Sequence, residues 1–201
     1  MTTAISHAEL MALPIVRYDG PIHLNAPPAD LHRALRHEHV VGFDTETRPT
    51  FRKGQSQHPP CLVQIATAHA VYLFQLARHD CHHAIADLLA NTHVVKAGIA
   101  LNRDIKELGR LFPILPANVI ELDTVAKRNG YGQTGVRNLS GIFLGGRITK
   151  GAQTSNWAAP RLTKSQLQYA ATDAWVCREL YLKFEKLGLL TTPDKPVPVA
   201  H

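Results

Sequence analysis

Four acids and a tyrosine carry the chemistry that this sequence can be asked about. Asp44 and Glu46, in the stretch VGFDTETRPT, are separated by one residue at the end of an apolar run. In a strand, residues i and i+2 point to the same side, so both carboxylates share one patch about 6.5 to 7 Å apart at their Cα atoms. Like charges that close oppose each other's ionisation unless a cation or a proton stands between them. Asp104 follows a second apolar run ending near Ala100, the kind of strand C-terminal end where α/β proteins gather ligand-binding groups. Tyr169 and Asp173 are four residues apart in a long helical pattern and therefore project from one helix face. Hard oxygen donors collected in this way suit Mg²⁺ or Mn²⁺ rather than zinc. Two such ions about 3.5 to 4 Å apart can hydrolyse a phosphodiester, one activating water and the other stabilising the leaving oxygen.

These side chains need elements to hold them. PPADLHRALRHE has a Pro start and Leu31, Ala34 and Leu35 at helical spacing, which predicts a helix before a strand from Val40 to Glu46. The segment from Thr47 to Pro60 is rich in Pro, Gly and cations and reads as an exposed loop. CLVQIAT and AVYLFQL predict a hairpin turning at Ala68 and His69. DCHHAIADLLAN reads as a helix and HVVKAGIA as a buried strand. A helix carrying Ile105, Leu108 and Phe112 follows and is expected to stop at Pro113. NVIELDTVAKR predicts a strand entering a helix, and VRNLSGIFLGG a helix closed by Gly145 and Gly146. The last helix opens on the T-x-x-Q capping box of Thr163 and Gln166. The expected fold is a mixed, mostly parallel five-stranded sheet with helices on both faces. The organisation expected is a single domain over residues 1–201, with a core of about 13–187 and a Pro-rich tail from 188 to 201.

Taken together, FDTET, KAGIALNRDIKEL and YAATD match the three motifs of the DEDD exonuclease superfamily, in the subgroup whose last motif carries tyrosine. The chain resembles this DnaQ-like, ribonuclease D-like group from about Val40 to Leu187, and within it is similar to the exonuclease domain of the Werner syndrome protein. PPCLVQIAT, VIELDTVA and TSNWAAPRLTKSQLQYAATDA share the resemblance. Proofreading members place an aromatic residue directly before the second-motif Asp, where this chain has Arg103. The resemblance implies a ribonuclease H-like fold and stepwise removal of 5′-monophosphates from a free 3′ end. It also implies that Asp44, Glu46 and Asp173 hold one ion, that Asp44 and Asp104 hold the other, the latter through water, and that Tyr169 positions the attacking water.

For substrate, the candidates are Thr45, Thr47, Phe51, Arg52, Lys53 and Lys150. Cations there would meet phosphates and Phe51 could stack on a terminal base. Trp157 is expected to pack its loop against the last helix, and Asp123 to cap a helix. The adjacent His82 and His83 cannot face one ion from a helix, which argues against zinc. In 201 residues, 22 Lys and Arg against 16 Asp and Glu give a net charge of +6, which favours an anionic partner such as nucleic acid. With 45% apolar and 19% charged residues the chain is globular in composition, not disordered. Three scattered cysteines suit a reducing compartment, and no apolar run approaches the ~18 to 20 residues of a membrane span, so a cytoplasmic protein is expected. A helicase or another protein is a compatible partner. Two rival functions share the fold: a non-catalytic nucleic-acid-binding module, which usually loses one or more acids, and an RNase H-type endonuclease, which the Y-x-x-x-D motif disfavours.

Overall fold

The structure, a computed structural model, describes residues 3–50 and 58–191. In chain order the strands are β1 (Ile22–Leu24), β2 (Val40–Thr47), β3 (Pro60–Ala66), β4 (Val71–Gln75), β5 (Val95–Gly98) and β6 (Val119–Glu121). The α-helices are α1 (His7–Ala12), α2 (Pro28–Ala34), α3 (His82–Ala90), α4 (Leu101–Leu108), α5 (Leu122–Arg128), α6 (Val136–Leu139) and α7 (Lys164–Lys186). The strands form one sheet in the order β1-β4-β3-β2-β5-β6, in which β3 runs against the other five. The expected mostly parallel sheet is present, with six strands among the described residues rather than five. The added strand, β1, is three residues long and lies at an edge. Three residues are too few to display the period-two alternation by which strands are read.

Alternation along β2 sorts the core. Val41 and Phe43 face one layer with Leu31 and Leu35 beside α2, Ile85 and Leu88 of α3, and Leu101, Ile105 and Leu108 of α4. Val40 faces the other side, where Val176, Leu180, Tyr181 and Phe184 of α7 pack with α5 and α6. Asp44 and Glu46 therefore point into the α7 layer by parity. Farther along that layer, Ala170, Ala171 and Ala174 of α7 lie on Leu62 and Ala66 of β3 and Val71 and Leu73 of β4. Small residues let the helix approach closely. A Cβ added at Gly42 would stand 1.8 Å from the Ala174 carbonyl oxygen, so glycine is the side chain this crossing admits.

Local signals set several boundaries. Thr163 caps α7 through its side chain, which accepts from the Gln166 N–H, and Gln166 returns a bond to the Thr163 N–H. The hairpin between β3 and β4 forms as expected, with the Thr67 hydroxyl donating to the Ala70 carbonyl across the turn. The VRNLSGIFLGG segment begins as α6, continues through a π-helical turn at Ser140–Leu144 and ends at Gly145 with φ of 67°. Helix α4 closes at Leu108, a turn before Pro113, with Gly109 bonded back to Ile105. Among the described residues no helix is long and apolar enough to cross a membrane.

Candidate active site

Three elements converge at the C-terminal end of β2. The strand contributes Asp44 and Glu46, and α7 brings Asp173 over them. One oxygen from each of these three carboxylates lies within 4.8 Å of the other two. Asp104 arrives from the opposite face of the sheet: β5, parallel to β2, passes through Ala100 in a left-handed conformation and turns directly into α4. Asp104 is not within that three-carboxylate cluster, but its charge is felt by both Asp44 and Glu46.

The electrostatics are those of acids forced together out of water. Burial first, and the neighbouring Asp173 second, raise the Asp44 carboxyl well above the usual range. Glu46 is pushed up to about 10, by burial and then by Asp44, Asp173 and Asp104. Asp173 rises to about 7 through burial, and the Tyr169 side chain draws it partly back. Asp104 is raised by burial, while Thr45 and Arg103 act in the other direction. The Tyr169 phenol is raised by burial and by the facing carboxylates. A divalent cation would remove both the mutual repulsion and the cost of desolvation, and an all-oxygen donor set matches Mg²⁺ or Mn²⁺. The residues present therefore fit such an ion.

Supporting contacts hold the acids in place. The backbone N–H of Thr45 donates to Asp44 Oδ1 at 2.9 Å. Glu121, at the end of β6, accepts from the N–H groups of Leu101 and Asn102 at 3.1 and 2.7 Å and so anchors the start of α4. Asp123, expected to cap a helix, lies in the first turn of α5, whose N-cap is Glu121 without a side-chain cap bond, and pairs with Lys127 at 2.9 Å. Helix α7 is pinned at one side by Tyr18, whose N–H donates to Thr172 and whose carbonyl accepts from Gln168. Gln166 donates to Ser155 and Asn156, which fixes the loop carrying Trp157. Trp157 is fully buried with its ring centroid 6.0 Å from that of Tyr169, in keeping with the expected packing role.

The expected substrate residues divide. Thr45 is 9% exposed and points by parity toward the α4 layer, while Thr47 closes β2 after a register shift. Lys150 is exposed and lines a depression of about 400 Å³ together with Arg137 and Tyr169. Phe51, Arg52 and Lys53 lie outside the described residues. Sequence reading missed Arg17, Arg137 and Lys164. Arg17 and Lys164 border a cavity of about 320 Å³ that reaches Tyr169 and Asp173. Arg17 and Arg137 carry no spacing that links them to the acids, so only the folded chain shows their proximity, whereas Lys164 opens the same helix that carries Tyr169 and Asp173.

A mixed, mostly parallel sheet covered on both faces, with carboxylates clustered where β2 ends, has the ribonuclease H-like fold. The Aedes aegypti Nibbler EXO domain superposes with a TM-score of 0.74 at 24% identity, covering 91% of this chain and 96% of that one. A family model described as 3′-5′ exonuclease matches residues 22–188, and the chain belongs to that family. It is 33% identical over 157 residues to ribonuclease D of Gluconacetobacter diazotrophicus, across 76% of this chain and 39% of the relative. It is 29% identical over 164 residues to the mouse bifunctional 3′-5′ exonuclease/ATP-dependent helicase WRN, across 79% of this chain and 12% of the relative. The chain thus spans less than half the length of these two curated relatives.

Proposed function

We propose that the chain is a metal-dependent 3′-to-5′ exonuclease that removes nucleoside 5′-monophosphates one at a time from nucleic acid with a free 3′ end. The observation that carries this reading is the approach of the Asp44, Glu46 and Asp173 carboxylates to within 4.8 Å, all three held well above their ordinary pKa. Asp44, Glu46 and Asp173 would hold one divalent ion, and Asp44 with Asp104 a second. Bound there, the ions would supply Lewis acidity to water and neutralise charge developing on the phosphate and the leaving oxygen.

The chain's own residues do the remainder. Burial and facing carboxylates keep the Tyr169 phenol protonated, so it is a hydrogen-bond donor that orients water rather than a base. Lys150 and Arg137 beside Tyr169, and Arg17 and Lys164 in the adjoining cavity, offer cations to the phosphates of the strand. These contacts read the backbone, not the base sequence. The net charge of +6 supports the same polyanionic substrate, and the ribonuclease D relative favours RNA among its forms.

The test uses a 5′-labelled oligonucleotide and its circular counterpart with Mn²⁺ or Mg²⁺. A ladder of single-nucleotide losses, with the circle intact and mononucleotides released, is expected. Asp44→Asn should lower the rate by about 10³-fold or more with an unchanged far-UV circular dichroism spectrum. No shortening by the wild type, or shortening undiminished in Asp44→Asn, overturns the proposal.

A further inference from the structure

Beyond the five motif residues, Gln64 is the buried side chain whose presence most needs a reason. It is fully buried on β3, and among the described residues neither its Nε2 nor its Oε1 has a hydrogen-bond partner. A buried polar group left unpaired destabilises the fold. Its neighbours on the same face of β3, Leu62 and Ala66, are apolar and pack under α7. An aliphatic residue at position 64 would continue that surface and avoid the cost.

Register shows what the carboxamide faces. Gln64 is the direct cross-strand partner of Asp44, in the stretch where Gly42 pairs with Ala66 and Glu46 with Leu62. Directly opposed side chains lie on one face with Cβ atoms about 4.5 to 5.5 Å apart. Gln64 and Asp44 therefore stand side by side beneath α7, the helix that delivers Asp173. An ionised carboxylate offers about four acceptor positions, and one on Asp44 is taken by the Thr45 N–H.

We propose that Gln64 is a positioning residue for Asp44: its carboxamide Nε2–H donates to the Asp44 carboxylate when that group is ionised and holding a divalent ion. With Thr45 on one oxygen and Gln64 bracing the group from β3, the carboxylate plane is fixed before the ion arrives. This rests on reading the acids as a metal site. Outer partners of metal ligands typically change affinity by about 10- to 100-fold when removed.

The experiment titrates Mn²⁺ alone into the purified chain by calorimetry, for the wild type, Gln64→Met and Gln64→Asn. Gln64→Met keeps the volume and removes both polar heads, so thermal stability without metal should hold or rise. Its Mn²⁺ affinity should fall by about 10- to 100-fold, and kcat should drop with little change in KM for the oligonucleotide. Gln64→Asn, with the amide one methylene short, should fall between the two and carries the test should Gln64→Met not fold. A purely structural Gln64 would leave Mn²⁺ affinity unmoved. Wild-type Mn²⁺ affinity in a folded variant therefore overturns this assignment and leaves the exonuclease reading intact. A wild-type chain that binds no Mn²⁺ overturns both.

Discussion

Tyr169 illustrates what a single side chain inherits from its surroundings. Its ring leans on the buried Trp157, and its hydroxyl is set among Asp173, Glu46 and Asp44, which together with burial hold the proton on the phenol. Under the proposed exonuclease reading, a phenol in that state acts by direction, not by basicity. Tyr169→Phe keeps the ring packing and removes the hydroxyl, so it should lower kcat by about 10²-fold, the scale of a misplaced reactant. Mn²⁺ affinity should stay at the wild-type value, because the phenol is not a ligand. Single-turnover cleavage and metal titration on the same preparation check the pair of outcomes, and a parallel loss of Mn²⁺ binding would place the tyrosine in the metal site instead.

At the scale of elements, the site depends on how closely α7 crosses β2. Gly42 allows the contact, since a methyl group there would meet the Ala174 carbonyl oxygen at 1.8 Å, which neither strand nor helix backbone can yield cheaply. Asp173 sits one residue before Ala174, so a helix lifted at that crossing carries its carboxylate away from Asp44. Gly42→Ala should therefore destabilise the fold by at least about 3 kcal/mol, the upper part of the overpacking range. Activity should fall further than the loss of folded protein accounts for. Urea unfolding monitored beside activity tests this, and a variant of wild-type stability and rate would show that the helix has room to spare.

Over the whole molecule, a buried acidic cluster ties stability to pH and to metal. Unfolded, Glu46 titrates near 4.5; folded and without metal it is pushed up to about 10, and Asp173 up to about 7. The folded chain then keeps protons that the unfolded chain releases, so this contribution is present below about pH 4.5 and is lost as pH rises toward 10. In chelator, Tm should decline from about pH 5 to about pH 9, and Mn²⁺ should raise Tm more at the alkaline end. Lys96 acts in the opposite sense. Fully buried, with its Nζ donating to the Asn91 carbonyl at the end of α3, it is lowered from 10.5 to about 7 by desolvation. Between those values the unfolded chain holds the proton, and stability from this group rises with pH. Lys96→Met should therefore steepen the decline in Tm above about pH 7. A Tm that is flat or rising in chelator across the range would contradict the buried, proton-sharing cluster.

What the sequence determined by itself were the features written in short-range pattern. Period-two runs gave five of the six strands, the Thr163 and Gln166 box placed the start of α7, and D-x-E parity put Asp44 and Glu46 on one face. The motif spacing also singled out Asp173 and Tyr169 before any contact was visible. The tertiary structure decided what no local rule encodes. It placed Asp104 on the far side of the sheet and outside the closest three carboxylates, anchored the start of α4 on Glu121, and set Gln64 against Asp44. It also brought Arg17 and Arg137, from two remote segments, near Tyr169 and the Lys164 end of α7. The physical reason is one of range. Backbone sterics and solvent act within a few residues and leave periodicity in the chain, whereas strand register and helix crossing are set by packing between segments far apart in sequence.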